Sequence, residues 1–143
     1  MEKIYSKVHP DMLLHIVRRL SDILKQEGRV DIIPEDNFIQ CSSLKMGNGK
    51  TFPPHKHIEK KRTYDKQIAQ ESWVVISGRV KCILFDIDDS IVATPILGVG
   101  DASFTLHGGH TYEILEDNTV VYEYKTGPYE GQELDKVFIN DNR

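Results

Sequence analysis

The chain has 143 residues, 39% of them apolar and 28% charged, with a formal net charge of −4. That size and balance fit one soluble globular domain with its own core, and the acidic sign speaks against a general nucleic-acid binder. No apolar run approaches the ~20 residues that cross a bilayer, MEKIYSKVHP lacks the apolar core of a signal peptide, and Cys41 and Cys82 have no CxxC spacing, so a cytoplasmic protein with free thiols and no membrane partner is expected.

From Pro10 to Gln26, residues Met12, Leu13, Ile16, Val17, Leu20, Ile23 and Leu24 recur three and four apart. The spacing predicts one amphipathic α-helix, with Pro10 in its first turn and Gly28 just past its end. His15 reads as a surface or packing residue of that helix. On this reading residues 1–35 are a helical extension and 36–143 a β-domain. RVDIIPEDNFIQCSSLKM holds short apolar stretches broken by Pro34, Asp36 and Asn37. ESWVVISGRVKCILFDI predicts a strand, a turn at Gly78 and a second strand, with Val80, Cys82 and Leu84 on one face. DIDDS is a turn cluster, and IVATPILGVGD is a further strand ending at Gly100 and Asp101. TYEILEDNTVVYEYK predicts a hairpin turning at Glu116, Asp117 and Asn118, and INDNR is a loose tail. Short strands at this regular spacing predict an all-β sandwich or barrel.

The chemistry-bearing stretch begins at FPPHKH. If it is extended, His55 and His57 project from one face, because strand side chains alternate. Pro53 and Pro54 favour that conformation. Two imidazoles on one face are half of a metal site, which a carboxylate and a third imidazole from neighbouring strands would complete. Such ligands suit Fe, Mn, Ni, Co or Zn rather than Ca or Mg.

These residues resemble the cupins, small jelly-roll-like β-barrels with two motifs. The first motif reads here as Gly49, then KTFPP, then His55-Lys56-His57, with Glu71 followed by SWVVIS and Gly78. The second reads GDASFTLHGGH, from Gly100 to His110. Two departures are visible: thirteen residues separate His57 from Glu71 where the family has a short link, and Leu106 stands where the family has proline. The likeness spans roughly residues 38–128. It implies a single-domain cupin barrel, preceded here by the N-terminal helix, with a divalent transition metal on His55, His57, Glu71 and His110. Glu59, two residues after His57, is the alternative carboxylate, and His107 the alternative to His110. LFDIDDS and YEYKTGPYEGQELDKVF are similar to the small WbuC-type cupin metalloproteins of O-antigen and surface-polysaccharide gene clusters. That likeness implies a carbohydrate or nucleotide-sugar context.

Several further residues are candidates for ligand chemistry. KHIEKKRTYDK, from Lys56 to Lys66, carries five basic side chains against two acidic ones in an acidic chain. It is either a solvated hairpin tip or an anion-steering lip, with Lys61 and Arg62 as ligand-binding residues suited to phosphate. Trp73, two after Glu71, lies on the same strand face and is either core or ligand-contacting. Glu123 and Tyr112 are the candidate catalytic groups, one a carboxylate beside the pocket and the other sharing the face of His110. Two functions are then open. One is an enzyme, a metal-dependent sugar epimerase or isomerase, or with iron a dioxygenase. The other is a non-catalytic small-molecule-binding module. The ligand is expected to be carbohydrate-like or anionic, and the helix is available for a homodimer contact.

Overall fold

The computed structural model describes residues 1–57, 68–128 and 131–139, with 41% of these in strands and 6% in helices. The chain runs β1 (Glu2–Tyr5), β2 (Leu13–Arg18), α1 (Leu20–Ile23), β3 (Gly28–Asp31), β4 (Ser42–Lys45), β5 (Glu71–Ser77) and β6 (Val80–Phe85). It continues through β7 (Ile91–Ala93), β8 (Ile96–Leu97), β9 (Ala102–Thr105), β10 (Gly109–Ile114), β11 (Val120–Lys125) and α2 (Gln132–Asp135). The strands form a five-stranded antiparallel sheet in the order β1-β2-β9-β5-β11. A second sheet is ordered β10-β6-β7, with β8 also on β6, and β3 pairs with β4.

The helix expected from Pro10 to Gln26 is not formed. LLHIVR is instead strand β2, and only Leu20–Ile23 turns helically. The reason is burial on both faces: every residue from Leu14 to Arg18 is buried. A strand covered on both sides is apolar without alternation, so its composition cannot be told from a helical stripe by period. The division at residue 35 goes with it. β2 hydrogen-bonds to β9, and β3 pairs with β4 across that position, Asp31 opposite Ser42. The TYEILEDNTVVYEYK segment also departs from expectation. Its two arms are strands, but β10 pairs with β6 and β11 with β5, so they diverge into different sheets. IVATPILGVGD splits into the short strands β7 and β8 around Thr94 and Pro95.

Register in the five-stranded sheet decides what each face carries. One cross-strand row reads Ile4, His15, Thr105, Glu71 and Lys125, and the same-face row beside it reads Glu2, Val17, Ser103, Trp73 and Glu123. This face packs on the second sheet through Val17, Val75, Val80, Cys82, Leu84 and Leu97. The alternate residues Ile16, Val74, Ala102 and Phe104 point the other way, into a second cluster with Ile32, Ile33 and Leu106. Full burial of each large apolar side chain contributes roughly 1.5–3 kcal/mol.

Polar contacts tie the periphery to this frame. The buried Asp86 carboxylate accepts from Ser6 Oγ at 2.6 Å, Lys7 N at 2.6 Å and Ile87 N at 2.7 Å, joining the β1–β2 turn to the turn after β6. Arg18, buried on the second face, donates to Gln26 Oε1 and to Ser43 Oγ, bracing β4 and the segment after α1. Among the described residues no helix is long and apolar enough to cross a membrane.

Candidate functional site

Between the two sheets lies a cavity of about 650 Å³, which β5, β9, β10 and β11 supply with polar side chains and which residues 135–139 wall on one side. Glu71 opens β5 and lies opposite Thr105 on β9 and Lys125 on β11. His110, on β10, reaches across from the second sheet, and its Nε2 lies 3.1 Å from Glu71 Oε1. Burial pushes the Glu71 carboxyl upward, but the His110 hydrogen bond and charge, with Lys136 and the Trp73 N–H, together outweigh it and hold the group below its ordinary value. An ionised carboxylate only accepts, so His110 Nε2 carries the donated proton. Nδ1 of His110 is buried and, among the described residues, has no hydrogen-bond partner.

The wall beside this pair is aromatic. Trp73 and Tyr112 stack at 3.9 Å between ring centroids with an 8° interplanar angle. The Trp73 indole N–H lies 3.2 Å from both Glu71 Oε1 and Glu123 Oε2, so one donor orients two carboxylates. The Tyr112 hydroxyl lies 3.2 Å from Ser103 Oγ, and burial pushes its pKa far above the ordinary phenol range. The hydroxyl therefore keeps its proton at neutral pH, and the ring lines the cavity. Glu123 lines the cavity and is solvent-exposed.

Of the residues singled out in the sequence, Glu71, Trp73, His110, Tyr112 and Glu123 all line this one cavity. His55 and His57 do not. Both are exposed, their rings meet edge-on at 5.3 Å, and His55 Nδ1 lies 3.0 Å from the Pro53 carbonyl. The expected alternation had no strand to act on, since residues 51–57 form no ladder. Glu59, Lys61 and Arg62 lie outside the described residues. His107 is half-buried and does not line the cavity.

Two donors 3.1 Å apart stand as two ligands of one ion would, at bond lengths of roughly 2.0–2.2 Å. Among the described residues, however, no three histidine, cysteine, aspartate or glutamate side chains cluster in a way that could hold a metal. Of the four ligands expected from the sequence, Glu71 and His110 lie together while His55 and His57 do not line the cavity, and the described residues do not by themselves fit a metal centre.

Sequence reasoning passed over three contributors. His15, fully buried, lies 3.2 Å from Thr105 Oγ1 through Nδ1 and 3.0 Å from the Phe85 carbonyl through Nε2, and it cross-links the two sheets through two residues that line the cavity. Thr105 itself lines the cavity, within a four-residue strand that the sequence shows only as part of a glycine-bounded turn motif. Lys136 and its neighbours follow a Gly-Pro turn and carry no periodicity, so the sequence marks the segment only through its place in YEYKTGPYEGQELDKVF. No protein-family model matches this chain, nor does any curated protein or solved structure.

Proposed function

We propose that this chain is a cupin-type, barrel-like protein whose cavity binds a carbohydrate-like small molecule, and that Glu71 and His110 move a proton on it in isomerase- or epimerase-type chemistry. The observation that carries the reading is the Glu71–His110 pair at 3.1 Å inside a cavity walled by the Trp73–Tyr112 stack. A volume of about 650 Å³ is in the range that small ligands fill. Aromatic faces pack against the C–H surface of a sugar ring, and carboxylates such as Glu123 accept from its hydroxyls. The ionised Glu71 carboxylate is a base within reach of a bound ligand, and the His110 N–H stabilises its charge between proton transfers. A positioned general base contributes roughly 10²–10⁴-fold to a proton-transfer rate, most when its pKa lies near the working pH.

Trp73 is the chain's single tryptophan, so its emission reports the cavity directly. Titration with glucose, galactose and their acidic derivatives should change Trp73 emission saturably. In D₂O, a sugar that is turned over should gain deuterium at the carbon that loses its proton. Glu71→Gln should bind the ligand and lose the exchange. Equal exchange in Glu71→Gln and the parent would remove Glu71 from the chemistry, and a flat emission titration with every sugar would remove the binding reading.

The donor spacing favours one further reading. Glu71 and His110 would be half of a divalent transition-metal centre, with His55 and His57 as the other ligands. Metal analysis of untagged protein tests it. About one Fe, Mn, Co, Ni or Zn per chain, lost in both His110→Ala and His55→Ala, would support it. A metal content unchanged by either substitution would end it.

A further inference from the structure

Residues 131–139 follow the β11 strand and return across the cavity, and both ends of the return are fixed. At one end the Lys125 ammonium and the Asp135 carboxylate lie 3.3 Å apart. At the other, Ile139 packs on Gly109: a Cβ on that glycine would stand 2.4 Å from Ile139 Cδ1, so the missing side chain makes the seat. The three residues between, Lys136, Val137 and Phe138, line the cavity while remaining exposed, Val137 at 93% and Phe138 at 73%.

The carboxylates facing the cavity each have a hydrogen-bond or ion-pair partner already. Glu71 is held by His110, Asp135 by Lys125, and Glu123 accepts from the Trp73 indole. Lys136 forms no ion pair within 4.0 Å among the described residues, although it faces the same space.

From this placement we infer that Lys136 reads an acidic group on the ligand, so that the cavity selects an acidic sugar, carboxylated or phosphorylated, over the neutral one. The inference rests on the carbohydrate reading of the cavity and adds the charge class. An ammonium is a point charge that takes a carboxylate or a phosphate alike, unlike the planar fork of arginine. The ligand's ring would lie on the aromatic wall with its acidic group toward the Lys136 segment. Val137 and Phe138 are positioned to lose exposed apolar surface over it.

The test is a Trp73 emission titration with glucose, glucuronate and glucose 6-phosphate, on the parent, Lys136→Gln and Lys136→Arg. At low salt the parent should bind at least one of the two acids about fivefold tighter than glucose, the size of a solvent-accessible charge pair. That ratio should fall toward one at high salt and in Lys136→Gln, and return in Lys136→Arg. Which acid shows it assigns the group as carboxylate or phosphate. Equal binding of acids and glucose by the parent would overturn the inference and leave the carbohydrate reading standing. An acid-to-glucose ratio unchanged in Lys136→Gln would also overturn it, by giving the preference to another cation. Failure of all three sugars to change the emission would sink the carbohydrate reading and this inference together.

Discussion

His15 should make the fold acid-sensitive in a window set by one side chain. A carbonyl oxygen only accepts, so Nε2 carries the proton it donates to Phe85, and Nδ1 is left to accept from the Thr105 hydroxyl. The neutral ring is therefore satisfied on both edges, and a second proton would break the Thr105 bond inside a fully buried site. Burial, with smaller pushes from His110 and His107 and against the pull of the Phe85 carbonyl and Asp86, lowers the His15 pKa from 6.5 to about 4. Between those values the unfolded chain binds one proton more than the folded chain. Stability is therefore complete above the unfolded value and falls as pH drops, by about 1.4 kcal/mol per unit. From pH 7.5 to pH 5 this amounts to about 2 kcal/mol, a sizeable part of a domain stability of roughly 5–15 kcal/mol. Glu71 titrates lower. Its pKa is depressed, so its contribution is present above the ordinary value of 4.5 and is lost only as pH falls through the lower folded one. His15→Gln offers an amide that does not titrate, at a fixed cost in packing. Urea unfolding of both proteins at pH 7.5, 6 and 5 should show the parent losing about 2 kcal/mol more than the variant over that range. Equal losses in the two proteins would mean that His15 is not the group that charges on unfolding, and the argument from its two hydrogen bonds would fall.

Tyr112→Phe keeps the stack on Trp73 and removes only the contact to Ser103, so deuterium exchange on a turned-over sugar should stay within a few-fold of the parent; a hundredfold loss would assign the hydroxyl a catalytic role. Gly108 has φ +73°, and a Cβ there would stand 2.3 Å from the Phe85 carbonyl oxygen, which is backbone and cannot give way. Gly108→Ala should therefore destabilise by about 2 kcal/mol, read as a lower urea midpoint at unchanged slope, and an unchanged midpoint would show that the β9–β10 turn relaxes freely.

Strand-rich character was legible because turns punctuate the chain from Gly28 onward, and ESWVVIS and VKCILF keep enough β-branched and aromatic content to read as strands. The local sequence of β10 and β11 likewise marked two arms and a turn. Pairing between sheets is a long-range property that local sequence does not carry, so the divergence of those arms was hidden. β2 was misread for a different reason. Its buried histidine and arginine reach partners that lie far along the chain, Thr105 for His15 and Ser43 for Arg18, so polar residues stand in the sequence where no exposed face exists. The cavity residues Glu71, Trp73, His110, Tyr112 and Glu123 were legible through two-residue spacing on strands that form. His55 and His57 were placed by the same argument on a segment that has no ladder, and there the period had nothing to act on.

The alternating rows of the five-stranded sheet make the protein separable for engineering. Positions 71, 73, 103 and 105 belong to the face that holds the cavity, whereas 74, 102 and 104 belong to the opposite cluster, and adjacent residues of one strand thus answer to different neighbourhoods. A library confined to Glu71, Trp73 and Thr105 can vary ligand chemistry while the second cluster keeps the sheet in place. The even positions can be consolidated first, for instance by volume-conserving exchanges around Phe104, to supply the stability that new polar groups in the cavity consume. Insertion of one residue in β9 would exchange the two sets at a stroke, setting Phe104 in the cavity and Thr105 in the apolar cluster, so this four-residue strand should tolerate substitution far better than any change of length.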